Sequence, residues 1–275
     1  MGGAGFMGAG VMSQGAQPAL KTAGLIIIGD EILSGRTRDK NVQTLAVWLG
    51  ELSVYVKEVR IIPDDRAVIV DTVRTFADAF DYVFTSGGIG PTDDDITSEA
   101  VAAAVGRPHG LHQEAYDILN AYYGEEEFTL ARQRMAQMPE GAGLIDNPVS
   151  KAPAFFVGPI FVLPGIPIIL EAMLPGIAHR ISGGPKVHSV TISVPMVEGE
   201  FAPLMAEISD MFPVVSIGSY PFLRAGQLGL SAVFRSTDAA AVEAAKTHFF
   251  TLLTDLNITP FSETLGSQDG TATVG

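Results

Sequence analysis

The chain contains no cysteine. Disulfides, thiolate nucleophiles, thiolate-held zinc and iron–sulfur clusters are thereby excluded, and a reducing, cytoplasmic setting is expected. Cations are scarce too: 17 Lys and Arg stand against 31 Asp and Glu, a formal net charge of -14. A surface so poor in positive charge does not track a phosphate backbone, so no nucleic-acid partner is expected. Uninterrupted apolar runs of membrane length are also missing. The most apolar stretch, "APAFFVGPIFVLPGIPIILEAMLPGIA", is broken by prolines at 153, 159, 164, 167 and 175, so it reads as a buried hairpin followed by a helix and no membrane partner is expected. The first twenty residues have neither the basic start nor the apolar centre of a secretory signal. Residues 1–22 are therefore expected to form a disordered leader.

At 275 residues and 47% hydrophobic content, the chain can support one large core and a smaller one. "GLIIIGDE" (24–31) is a short apolar run of the kind buried on both faces of a parallel sheet. "VQTLAVWLGEL" carries Val42, Leu45, Ala46, Leu49 and Leu52 at helical spacing. "SVYVKEVRII" reads as a strand, "DDRAVIVDTVRTFADAF" as a helix opened by an Asp-rich cap, and "DYVFTS" as a third strand. This alternation predicts a doubly wound, mostly parallel α/β/α sheet domain over 23–182. Helices are expected in "TSEAVAAAVG", "HQEAYDILNAYY" and "FTLARQRMAQM", and short strands in "GLID", "AFFV" and "IFVLPG". After the small flexible link "SGGPK", a β-α-β-β-α order predicts a second, smaller α+β domain over 186–258, built like a truncated split βαβ unit. Residues 259–275 read as a flexible tail.

Ligands of open α/β sheets gather at the carboxyl ends of the strands. Two loops fall there: "GDE" and "SGGIGPTDDD". Gly87, Gly88 and Gly90 let backbone amides approach a phosphate closely, and Thr85, Ser86 and Thr92 add hydroxyls. Three aspartates beside an anion cradle make chemical sense if a divalent cation bridges them to the phosphate. The alternative is that Asp93 to Asp95 merely cap the next helix, for which one aspartate suffices. Arg36, Arg38, Lys40 and Lys151 are candidate phosphate contacts in a chain with few cations. Two patterns are discounted. "GAGFMG" (3–8) matches G-x-G-x-x-G without a preceding strand, and His109 and His112 in "HGLH" have no third ligand nearby and fit a loop entering a helix.

Together, "GDEILSGRTRDKN", "TSGGIGPTDDDIT", "MPEGAGLIDNPVSKAPAF" and "FVLPGIP" resemble the molybdopterin-binding-like domain of CinA proteins, over residues 24 to 180. They are similar, more distantly, to MogA and MoaB. "EFAPLM" and "IGSYPF" resemble the segment that follows this domain in eukaryotic bifunctional FAD synthases. The resemblance places Asp94 and Asp95 at the two matching aspartates, with Asp93 at a variable position. It matches Asp30, Glu31 and Asn41 to the first-strand motif. It implies one of two chemistries: a pyrophosphatase on ADP-ribose- or FAD-like dinucleotides using Mg²⁺, Mn²⁺ or Co²⁺, or a molybdopterin adenylyltransferase using Mg-ATP. A non-catalytic nucleotide- or pterin-binding module is the third reading.

On the first of these, Asp30, Asp94 and Asp95 are the expected metal ligands. Ser86, Gly87, Gly88, Gly90, Thr92, Arg36 and Asn41 are the expected substrate contacts, with Lys151 joining Asp94 and Asp95 as a catalytic residue. Relatives imply a homodimer or homotrimer. The amidase of longer CinA proteins has no counterpart in these 275 residues, so that activity is not carried over.

Overall fold

The computed structural model describes residues 20–224 and 226–266. The expected leader up to residue 19, the "GAGFMG" pattern and the tail beyond 266 lie outside the described residues.

The chain opens with β1 (Lys21–Ile28), the helical turn α1 (Asp30–Leu33), α2 (Asn41–Glu51), β2 (Val54–Ile62), α3 (Arg66–Ala79), β3 (Tyr82–Ser86) and α4 (Thr97–Ala104). β1 therefore starts two residues inside the segment expected as leader. It pairs in parallel with both β2 and β3, which is why its apolar run is buried on both sides. Leu25 faces α2 and its Leu45 and Leu49, and Ile26 faces α3 and its Ile69, Val73 and Phe76.

Next come β4 (His109–Leu111), α5 (Gln113–Tyr123), α6 (Leu130–Gln133), β5 (Gln137–Pro139), β6 (Gly143–Ile145), β7 (Ala154–Val157), β8 (Ile160–Leu163) and α7 (Pro167–Ile177). β8 joins β3 in parallel, β7 pairs antiparallel with β8 and β6 antiparallel with β7, giving the order β2-β1-β3-β8-β7-β6. Helices cover both faces, so the architecture is a three-layer, mostly parallel α/β/α sheet. Phe84 of β3 stacks on Phe161 of β8, centroids 4.9 Å apart. Each ring is essentially fully buried, a contribution of about 2–3 kcal/mol apiece from area alone.

The expected helix over "FTLARQRMAQM" does not form as one piece. Its middle is α6, a 3-10 turn follows at Arg134–Ala136, and the end becomes β5. Gln137–Pro139 is drawn into an extended pair with His109–Leu111, and this tertiary pairing overrides helical propensity.

The second sheet contains β9 (His188–Val194), α8 (Glu198–Met211), β10 (Ser216–Arg224), β11 (Gln227–Ser236), α9 (Ala239–Asp255) and β12 (Ser262–Gly266). Its order is β10-β11-β9-β12, antiparallel throughout. The expected truncated unit is thus complete, because residues assigned to the tail supply β12. An edge of β9 left by β11 needs a partner for its backbone groups, and Ser262–Gly266 provides it. Phe201, Phe234 and Phe249 form the centre of this separate core.

The link between the sheets is tied down rather than loose. Gly184 N donates to Ser53 O at 3.0 Å, and Ser182 N donates to the Tyr82 hydroxyl at 3.0 Å. A Cβ on Gly183 would stand 1.7 Å from Leu52 O, so the chain passes against the α2–β2 turn where only glycine fits.

Candidate functional site

The loops after β1, β3 and β8 line a cleft of about 480 Å³, within the range of small-ligand sites. One wall is polar backbone and carboxylate: Gly87, Gly88, Gly90, Glu31 and Asp95. The lining also includes the apolar side chains of Ile89, Met135, Pro153, Ile166 and Ile169.

The glycines are required by geometry. Gly87 and Gly88 take φ of 109° and 66°, and a Cβ on Gly87 would lie 2.1 Å from Ile28 O. On Gly88 it would lie 2.2 Å from Thr97 Oγ1 and 3.6 Å from Asp64 Oδ1. The backbone is thereby held at the cleft floor without side-chain cover. At Gly90 the Cβ position is filled by the Asp95 carboxylate, 2.7 Å away.

The three aspartates do not cap α4, whose N-cap is Ile96 with no side-chain bond. Each does something different. Asp95 Oδ2 accepts from Thr92 N at 2.8 Å and from Thr92 Oγ1 at 2.5 Å, fixing the Pro91–Thr92 turn at the cleft edge. Asp93 pairs with Arg134. Asp94 is exposed and faces Asp64 electrostatically.

Asp64 is the residue that sequence reasoning missed, since "DD" was read as a helix cap. Asp65 alone performs that role, accepting from Val68 N at 3.0 Å. Its neighbour turns the other way, and Asp64 Oδ2 accepts from Asp30 N at 2.9 Å. Burial pushes the Asp64 carboxyl above its usual range; the Asp30 N–H bond opposes this, and the charges of Asp30, Glu31 and Asp94 add to it. Charges from the ends of β1 and β3 thus act on the one carboxyl at the end of β2. Among the described residues no three acidic or histidine side chains are close enough to enclose a metal by themselves. Nearby, Thr97 Oγ1 is fully buried with no partner.

A family model described as a probable molybdopterin binding domain matches residues 24–182. The chain belongs to the molybdopterin-binding domain family. Residues 186–261 match a second model, the FAD synthase middle domain. A protein of Archaeoglobus fulgidus is 32% identical over 231 residues, 84% of this chain and 97% of that one. A CinA-like protein of Sulfurihydrogenibium is 37% identical over 157 residues, 54% of this chain and 39% of its own length. The crystal structure of CinA from Thermoplasma acidophilum, 33% identical, superposes with a TM-score of 0.56 over 58% of this chain and 98% of that one.

Within this molybdopterin-binding-type domain the expected site residues divide. Gly87, Gly88, Gly90 and Asp95 line the cleft, whereas on the first loop it is Glu31 and Thr37, not Asp30 or Arg36, that do so. Thr92 acts through Asp95. Ser86 and Asn41 do not line the cleft and are buried, at 1% and 3% exposure. Asn41 Nδ2 donates to Ser86 Oγ and to Gly165 O, each at 2.8 Å. These bonds brace the loop ends after β3 and β8, while Asn41 Oδ1 is buried without a partner.

Lys151 is exposed with φ of 61°, and its neighbours Ser150 and Ala152, rather than Lys151 itself, line the cleft. This loop is shaped by Asn147, which is buried. Its Nδ2 donates to Ser150 Oγ and Ala152 O, and its Oδ1 accepts from Val149 N and Ser150 N. The "NP" pair in the quoted segment was its signal.

His109 and His112 are likewise accounted for by structure. His112 Nδ1 caps α5 by accepting from Ala115 N, and His109 Nε2 meets Ser98 Oγ at 3.2 Å.

Among the described residues no helix is long and apolar enough to cross a membrane.

Proposed function

We propose that this domain hydrolyses the phosphoanhydride of an ADP-ribose- or FAD-like dinucleotide with the help of a divalent cation. The observation that carries the reading is a glycine-floored cleft lined by the Glu31 and Asp95 carboxylates, with Asp64 Oδ1 3.6 Å from the Cβ position of Gly88 beside it. Acidic groups crowd there without an enclosing ligand set, which fits a cation completed by phosphate oxygens, since Mg²⁺ takes one or two carboxylates and fills its shell from substrate and water. Asp95, which lines the cleft, and Asp64, beside Gly88, are the carboxylates that would hold it, with the buried Thr97 hydroxyl also beside Gly88. When bound, the cation offsets phosphate charge and lowers the pKa of a bound water.

The chain's own groups do the rest. Backbone amides of Gly88 to Gly90 bind the phosphate that is not attacked, while the Gly87 N–H is donated to Leu163 O at 3.1 Å and holds the loop to β8. The apolar residues of the lining receive a flat heteroaromatic ring and exclude water from it. Attack of water on one phosphorus breaks the bridging P–O bond and releases AMP, with ribose 5-phosphate from ADP-ribose or FMN from FAD. The match of the second sheet to a FAD synthase domain supports a nucleotide of this class.

A second reading follows from the family itself, described as molybdopterin-binding: the same cleft would adenylylate molybdopterin or hold a pterin or nucleotide without turnover.

Chromatographic product analysis separates these. The protein is incubated with ADP-ribose, FAD and ATP in turn, each with Mg²⁺, Mn²⁺ or Co²⁺ and a chelator control. AMP from a dinucleotide, lost with chelator, is the expected result. ATP consumption only when molybdopterin is added would favour adenylylation, and binding without turnover would favour the module.

A further inference from the structure

Beside Gly90 and Asp95 lies a narrow recess of about 20 Å³, which shares those residues, Ile89, Met135 and Pro153 with the cleft and adds Ser98 and Arg134. Among the described residues lining cleft and recess, Arg134 is the one cation. It opens the 3-10 turn Arg134–Ala136. That turn is anchored: Ala136 is fully buried, and its carbonyl accepts from His112 N at 2.8 Å. Neither Lys151 nor Arg36 lines cleft or recess, and Arg134, although outside the cleft proper, lines the recess that joins it at Gly90 and Asp95.

Arg134 Nη1 donates to Asp93 Oδ1, across 41 residues of sequence. Asp93 is 98% exposed and Arg134 39% exposed. A pair so open to solvent is weak, and Asp93 gives up little if it is displaced. A diphosphate offers oxygens in a geometry that the planar guanidinium matches with two donors at once.

We propose that Arg134 binds a phosphate of the ligand in this cleft and that Asp93 competes with that phosphate for it. The inference rests on the nucleotide reading above and deepens it. A site surrounded by carboxylates would otherwise repel its anionic ligand, and Arg134 makes it select phosphate-bearing molecules. Asp93, at the otherwise unassigned first position of the Asp triplet, sets how tightly they bind.

Calorimetric titration of the full chain with ADP in the presence of Mg²⁺ tests this, with thermal melts confirming that each variant is folded. Arg134→Gln is expected to weaken ADP binding about tenfold or more, and Arg134→Lys to recover part of the loss. Asp93→Asn is expected to tighten binding severalfold, and the Asp93→Asn/Arg134→Gln double variant to match Arg134→Gln alone. Equal ADP affinity in wild type and Arg134→Gln would overturn the Arg134 assignment while leaving the nucleotide reading in place. Weaker binding by Asp93→Asn would also overturn it, since it would mean that the pair only braces the loop. Failure of the wild type to bind ADP would overturn the nucleotide reading and this inference together.

Discussion

Asp64 accepts the backbone N–H of Asp30 at 2.9 Å while the Asp30 carboxylate raises its pKa. One residue therefore both fastens Asp64 and charges its surroundings. The native chain holds the Asp64 proton more tightly than the unfolded chain, whose value is about 3.9. Between that value and the raised one, the folded state binds more protons, so stability falls as pH rises through the window. Asp64→Asn removes the penalty and keeps an oxygen for Asp30 N. It is expected to melt at or above the wild-type temperature at pH 7, with the gain disappearing near pH 3. A lower melting temperature at pH 7 would show that the carboxylate stabilises the loop instead.

Asp95→Asn preserves size and an acceptor for Thr92 but removes charge from the cleft edge. Steady-state turnover is expected to fall about ten- to hundredfold, with an unchanged circular dichroism spectrum and a small shift in melting. Full activity in this variant sinks the role given to Asp95.

Asn41 is a structural prediction by contrast. Asn41→Ala leaves Ser86 Oγ and Gly165 O without their donor in a buried place. Urea unfolding is expected to show a loss of about 2–4 kcal/mol. A loss of ligand affinity without a loss of stability would instead return Asn41 to the ligand-contact role.

Gly88→Ala must fit a methyl 2.2 Å from Thr97 Oγ1 at a φ of 66°. Gly158→Ala is its control, with a φ of 57° and nothing within 4 Å. Both incur backbone strain of about 1–2 kcal/mol, but only Gly88→Ala is expected to cost more than that in unfolding experiments and to weaken ADP binding in titrations. Matching losses in the two variants would remove Gly88 from the cleft floor.

The parallel sheet was legible because β1 is a continuous apolar run between glycines and because helical spacing in α2 and α3 is regular. The glycine loop was legible because its sequence has few other uses. Asp64 was hidden by Asp65: a cap signal explains both aspartates until the chain direction separates them. Asn41 and Ser86 carry the polar chemistry of a contact residue, and only burial shows that they bond to each other. The break in "FTLARQRMAQM" and the strand at Ser262–Gly266 arise from pairing with His109–Leu111 and with β9. Partners so distant in sequence leave no local periodicity to read.

The most direct test is the rate of AMP release from ADP-ribose with Mg²⁺, measured side by side for the wild type, the wild type with chelator, and Asp64→Asn verified as folded. Release by the wild type alone, lost in the other two, is the result expected if the convergent carboxylates and their cation perform the hydrolysis. Equal release in all three, or none in the wild type, would contradict it.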